Sequence, residues 1–173
     1  MKSKIITTLI ITFILITIGV QTTQAQKSSF NNKTLSTEII TSTGIETNLG
    51  DVFDSLEFNN VFVLIYNSSK TDFVENLQKI KDLQTSNPDF KYVYIATDIN
   101  KEIWQSLVKS FELIGMNLIL KKPVGFSSND ELEIDVNCKI IVLNKKKEIV
   151  FRTNIQTGYI EIDTFMKGLK YYK

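Results

Sequence analysis

Six consecutive apolar residues, Val61 to Tyr66, stand out along the chain. A run of that length without polar alternation predicts a strand buried on both faces, as in the middle of a parallel sheet. Beyond it the period changes. Phe73, Leu77 and Ile80, with Val74 beside them, recur at helical spacing and predict one face of an amphipathic helix. Asp72 and Glu75 have capping-box-like spacing at its start, where a carboxylate can accept from the free backbone N–H groups. Pro88 disfavours helical geometry at the residue before it, so the helix should end ahead of "TSNPD".

The alternation of strand and helix continues. "FKYVYIAT", residues 90–97, predicts a second central strand. Ile103, Trp104, Leu107, Val108 and Phe111 form a helical stripe, and Gly115 suits the left-handed position after the last turn. "MNLIL" is a brief strand, "KKPVGFSSND" a loop, and "NDELEIDV" one or two helical turns. "KIIVLN" and "EIVFR" flank "KKKE" as an antiparallel hairpin, and Ile162, Phe165, Met166 and Leu169 mark the core face of a last helix. Upstream, "TEIITSTGIETNLGDVF" gives a short strand, a turn near Gly44 and a second short segment. The order is β-α-β, an inserted α-β, a short helix, then β-β-α. A right-handed crossover and a parallel pair follow for the first unit. The expected fold is therefore α/β, a mixed central sheet with flanking helices on both faces and an inserted α-β element.

The N-terminus carries a different pattern. Lys2 and Lys4 precede an apolar run from Ile5 to Val20, and polar residues then lead to Ala25. This is the layout of a secretory signal peptide over residues 1–25. The rival reading is a retained membrane anchor, because the run approaches the ~20 residues needed to span a bilayer. The polar "QTTQA" ending in a small residue favours cleavage, with no stable membrane insertion afterwards. No cysteine follows the run, which disfavours a lipid anchor. Residues 26–37, "QKSSFNNKTLST", read as a polar linker or loose arm, leaving 38–173 as one domain. The expected location is exported, periplasmic or secreted from a bacterium.

Composition removes more chemistry than it supplies. The 173-residue chain has one cysteine, Cys138, and no histidine. An intramolecular disulfide is excluded, as are Cys/His zinc sites and any triad that uses histidine. The formal net charge of +1 offers no footprint for nucleic acid, and Lys145 to Lys147 read as a solvated turn. Asp130, Glu131, Glu133 and Asp135 lack the glycine and ligand alternation of a calcium loop, so they too read as a solvated face. Trp104, Tyr92 and Tyr94 read as core and sheet-face residues rather than a cofactor box. No metal or cofactor is called for.

The order of elements resembles the thioredoxin fold, and within it the exported TlpA-like branch of thiol–disulfide oxidoreductases. "NNVFVLIYNSSKTDF" stands where that family runs a strand into its Cys-x-x-Cys turn. "YVYIATDINKEIWQSLV" looks like its second strand, acidic residue and inserted helix, and "VNCKIIVLNKKKEIV" like the stretch where a cis-proline precedes a strand and hairpin. The likeness covers about residues 38 to 171. The dithiol is missing: in one register its two positions fall on Lys70 and Phe73, in the next on Ser69 and Asp72, and the cis-proline position falls on Cys138. The resemblance thus implies a fold and a location, without the dithiol chemistry.

Two readings of the site follow. In the first, Ser68, Ser69, Lys70 and Thr71 with Asn137 and Cys138 form a non-catalytic binding surface for a protein, a peptide or a small ligand. Hydroxyls, backbone N–H groups and one ammonium at a helix start attract anions; the plainer alternative is helix capping in a solvated loop. A Ser–Lys nucleophile has no third group to orient it. In the second reading Cys138 acts alone as a redox thiol or sensor. Burial in the core is the default for a free cysteine, whereas proximity to a helix start would lower its pKa.

Overall fold

The computed structural model describes residues 29–56, 59–67, 71–97, 100–122 and 139–169, apart from the side chains of residues 71–73, 75 and 155–159. Among these, seven strands form one sheet. They are β1 (Glu38–Thr41), β2 (Glu46–Asn48), β3 (Val61–Tyr66), β4 (Lys91–Ala96), β5 (Met116–Leu120), β6 (Lys139–Leu143) and β7 (Ile149–Asn154), in the spatial order β2-β1-β5-β4-β3-β6-β7. β3, β4 and β5 run parallel, and the pairs at either side are antiparallel. β4, β3 and β6 are neighbours, with β3 between the other two.

The strand sequence sorts its side chains by parity. Phe62, Leu64 and Tyr66 of β3 join Tyr92 and Tyr94 of β4 and Ile140 and Val142 of β6 in one core layer. Val61, Val63 and Ile65 join Val93, Ile95, Ile141 and Leu143 in the other. Every residue of β3 is buried, which accounts for a run with no polar position.

The long helices cover the first layer. α3 (Thr71–Ser86) connects β3 to β4, and α4 (Lys101–Phe111) connects β4 to β5. Both steps move the same way across the sheet, so two right-handed crossovers leave both helices on one face. The last helix, α5 (Ile155–Leu169), joins them there through Ile162 and Met166, with Phe165 and Leu169 packed alongside. Leu77, Ile80 and Leu83 of α3 lie buried beneath. Ile80→Val, which removes one methyl group from a fully buried side chain, should cost about 0.5–1.5 kcal/mol. Urea unfolding should show a lower midpoint at an unchanged slope.

The opposite layer is covered by shorter pieces. α1 (Asn32–Leu35) and α2 (Leu49–Asp54) carry it, and Phe30 stacks on Phe53 with ring centroids 5.2 Å apart. Asn31 and Asn48 cap these helices, accepting from the backbone N–H of Thr34 at 2.8 Å and of Asp51 at 2.9 Å. Residues 30–35 therefore differ from the loose arm expected over 26–37. The isolated Phe30 and Leu35 in that polar stretch pack against the sheet's second core layer.

Three local expectations also change. Val74 and Ile103 are largely exposed, at 46% and 42%, because each sits off the buried line of its helix. α4 ends at Phe111 with Glu112 in the left-handed position, φ 49°. Gly115 is needed for another reason. Its φ is 143°, and a Cβ there would lie 2.5 Å from the backbone oxygen of Tyr92. The loop expected over 121–130 lies outside the described residues beyond Lys122, as do the one or two helical turns expected over 129–136 and the N-terminal apolar run.

Candidate functional site

The parallel direction of β3 and β4 puts both of their C-terminal ends at one end of the sheet. Thr97, just past β4, donates its backbone N–H to the Tyr66 carbonyl at 2.9 Å, and its hydroxyl reaches the same oxygen at 3.3 Å. This double contact fastens the exit of β3 to that of β4. β6 runs the other way, and its first residue, Lys139, pairs with Ile65. The end of β3, the start of α3 at Thr71 and the start of β6 therefore converge at this end of the sheet.

The expected site residues stand relative to this frame as follows. Thr71 is the first residue of α3. Ser68, Ser69, Lys70, Asn137 and Cys138 lie outside the described residues, as do Asp130, Glu131, Glu133 and Asp135. The segments that carry Ser68 to Thr71 and Cys138 are thus flanked by adjacent antiparallel strands, although some seventy residues of sequence separate them.

Beneath the converging ends lies an aromatic layer. Tyr66, Tyr94 and Trp104 are fully buried and Tyr92 is 7% exposed, which for Trp104, Tyr92 and Tyr94 fits the expectation of core and sheet-face residues. The Tyr94 hydroxyl and Trp104 Nε1 have no hydrogen-bond partner among the described residues. Burial, with the hydroxyls of Tyr92 and Tyr66 nearby, pushes the Tyr94 phenol far above its ordinary pKa, so it stays neutral. Tyr92 is also held neutral, by burial and then by Asp163. Its hydroxyl donates toward the carbonyls of Leu83 and Asn87, at 3.1 and 2.9 Å. These groups support a rigid scaffold and supply no acid or base near neutral pH. Among the described residues, no group of three or more histidine, cysteine, aspartate or glutamate side chains could hold a metal ion, and no helix is long and apolar enough to cross a membrane.

A second feature was not legible in the sequence. A cavity of about 620 Å³ opens at the opposite end of the sheet, where α3 finishes and β4 begins. Its lining comes from three separate stretches, 81–85, 88–92 and 112–115, none of which carries a motif.

A mixed sheet of this order, with a parallel β3-β4-β5 core, an antiparallel hairpin at β6-β7 and a closing helix, is a thioredoxin-like fold. Solved structures similar to the chain include thiol–disulfide oxidoreductases. One is a secreted disulfide oxidoreductase of Mycobacterium tuberculosis homologous to E. coli DsbE. It is 15% identical, with a TM-score of 0.59 over 80% of this chain and 99% of that one. A thiol–disulfide oxidoreductase of Bacteroides fragilis is 17% identical, with a TM-score of 0.61 over 76% and 95% of the two chains. The PrxQ protein of Xylella fastidiosa also matches, at 10% identity and a TM-score of 0.56 over 83% and 96%. At such identities the likeness shows the fold alone. No family model matches the sequence, and no curated protein does.

Proposed function

We propose that this chain is an exported thioredoxin-like domain that has kept the scaffold of the thiol–disulfide oxidoreductases without their dithiol, and that it works as a non-catalytic binding module. One observation carries the reading. A fold shared with disulfide oxidoreductases is built from a sequence with a single cysteine and no histidine. A disulfide exchange that ends in a free product needs a second thiol to resolve the mixed disulfide, and this chain has none to offer. The binding surface is the convergent end of the sheet, where the stretch Ser68 to Thr71 follows the end of β3 and the pair Asn137–Cys138 precedes the start of β6. The partner is a protein or peptide. The charged start, apolar run and Ala25 support export with cleavage ahead of Gln26.

A second reading keeps Cys138 as a working thiol that is resolved by a thiol of its partner. The register favours it to this extent: Cys138 is bonded to Lys139, which lies opposite Ile65 near the end of β3, and a thiol near a helix N-terminus is acidified. Affinity capture from a bacterial cell envelope, with and without reductant, separates the two. A partner retained in both conditions, on bait that begins at Gln26 by mass spectrometry, is the expected result. A partner released by reductant, and absent from Cys138→Ser bait, would replace the first reading with the second. Bait that keeps Met1 would overturn cleavage.

A further inference from the structure

We propose that the open edge of β7 is a docking site for an extended acidic peptide segment, which adds to the sheet as a further strand. The site is a sheet edge rather than the surface around Cys138, and the inference does not depend on that surface.

The two edges of the sheet are unlike. β2 closes one side with only 3 residues, and its Glu46 is held by Lys121 at 2.7 Å. β7 closes the other side with 6 residues. It pairs with β6, and among the described residues no strand pairs with its outer side. Such an edge presents a row of backbone N–H and C=O groups on which another chain can pair. Proteins commonly blunt an edge by keeping it short or by placing lysine or proline on it, and β7 has none of these. A bulge disturbs only its beginning, where Leu143 pairs with Ile149 but Val142 with Phe151. Phe151 to Asn154 remain as a regular template.

One face of this template is apolar. Phe151 and Thr153 stand opposite Val142 and Ile140, on the face that α5 covers. Phe151 stacks on Phe165 of α5 with ring centroids 4.8 Å apart, and both rings stay only partly buried. The reason is the way α5 sits. Its Asp163 accepts from the Asn87 side chain at the end of α3, at 3.1 Å, so that flank faces α3. Glu161, Phe165 and Gly168 follow one another at helical spacing along the other flank, above the β7 edge. An apolar side chain on an added strand would cover the two rings and remove them from water.

The other face selects the partner's charge. Arg152, opposite Ile141, is exposed there, and Lys139, opposite Asn154, shares that face. They are the only charged residues of β6 and β7, and Glu161 lies across the sheet from them, on the α5 side. Opposite charges on facing strand positions attract and like charges repel. A guanidinium carries five donors, so Arg152 can take a carboxylate beside any other acceptor. The same charge argues against a second copy of the chain. Two β7 edges that pair Phe151 with Thr153 in antiparallel register set two Arg152 side chains directly opposite each other. The template therefore suits an antiparallel segment with one acidic residue between two apolar ones.

The test titrates the full chain with the blocked peptide acetyl-Thr-Val-Glu-Phe-Thr-amide, followed by backbone amide NMR. The peptide is expected to shift the amides of Phe151 to Asn154 and to bind about fivefold more tightly than the same peptide with lysine in place of glutamate. Arg152→Ala should remove most of that difference. Raising the salt to about 1 M on the unmodified protein should also shrink it, which keeps the proposal testable should the variant fold poorly. Strand addition has a further signature. Successive backbone N–H groups of a strand point to alternate sides, so methylating the peptide nitrogen of glutamate and that of phenylalanine should have unequal effects, one abolishing binding and the other sparing it. Absence of shifts at millimolar peptide, shifts centred away from β7, equal binding of the glutamate and lysine peptides, or equal effects of the two methylations would overturn the proposal.

Discussion

Gly115→Ala is expected to lower the unfolding free energy by about 4 kcal/mol, far more than a methyl group at a surface loop ordinarily costs. Two effects add. At φ 143° a residue with a side chain pays backbone strain of about 1–3 kcal/mol. The new Cβ would also lie 2.5 Å from the Tyr92 carbonyl oxygen and 2.9 Å from Tyr92 Cβ. Those atoms belong to β4, which pairs with β3 and β5 on its two sides and cannot move away without disturbing both ladders. Overpacking of this kind costs a further ~1–3 kcal/mol. Gly44→Ala is the internal control. Its φ is 88°, but nothing lies within 4 Å of the added carbon, so only the conformational cost of about 1–2 kcal/mol remains. Guanidinium unfolding of the two variants side by side checks the ranking; equal losses would mean that the close approach to Tyr92 contributes nothing.

The same glycine shows how far sequence reading reaches. Its position just beyond a helical stripe is the usual signature of a left-handed cap, but Glu112 takes that role and Gly115 serves a contact with a strand more than twenty residues earlier. Periodicity reports which residues share a face; it carries no information about which backbone comes near. For this reason the strands and helices from Val61 onward were legible, while the packing of Phe30 onto Phe53 was not. Two apolar residues in a polar stretch set no period, and their burial depends on α2 presenting Val52 and Phe53 to the same layer. Val74 and Ile103 mark the opposite limit, since the buried stripes were drawn one residue too wide.

Function was legible in the sequence mainly by exclusion. One cysteine and no histidine exclude an intramolecular disulfide, Cys/His zinc sites and any triad that uses histidine. The frame around Ser68 to Thr71 and Cys138 followed from topology, because an antiparallel β6 must begin where β3 ends. The far cavity had no such signal. Lys81, Lys91 and Ile114 lie in three segments, and only the meeting of the end of α3, the start of β4 and the loop before β5 brings them together.

The protein is expected to show no turnover in an insulin-reduction assay, with a rate indistinguishable from that of its Cys138→Ser variant. Electron balance shows what turnover would need. Reduction of one disulfide consumes two electrons and two protons and releases two thiols. A single thiolate can break the S–S bond only by joining one of the sulfurs, which releases one thiol and leaves a mixed disulfide. A second thiol must then attack Cys138 to free the product, and no other cysteine exists in the chain. Dithiothreitol can supply that second thiol from outside, so the expected null result rests on Cys138 not opening the insulin disulfide in the first place. The buried aromatic layer offers no substitute electron donor, since Tyr66, Tyr94 and Trp104 are sealed beneath the sheet's end. Stoichiometric formation of a mixed disulfide on Cys138 would still fit the second reading of the site, because it balances at one bond made for one broken. A sustained rate above the Cys138→Ser control would defeat the first reading and favour the second, because it would mean that Cys138 opens the disulfide and that the external thiol resolves the mixed disulfide and returns the thiolate.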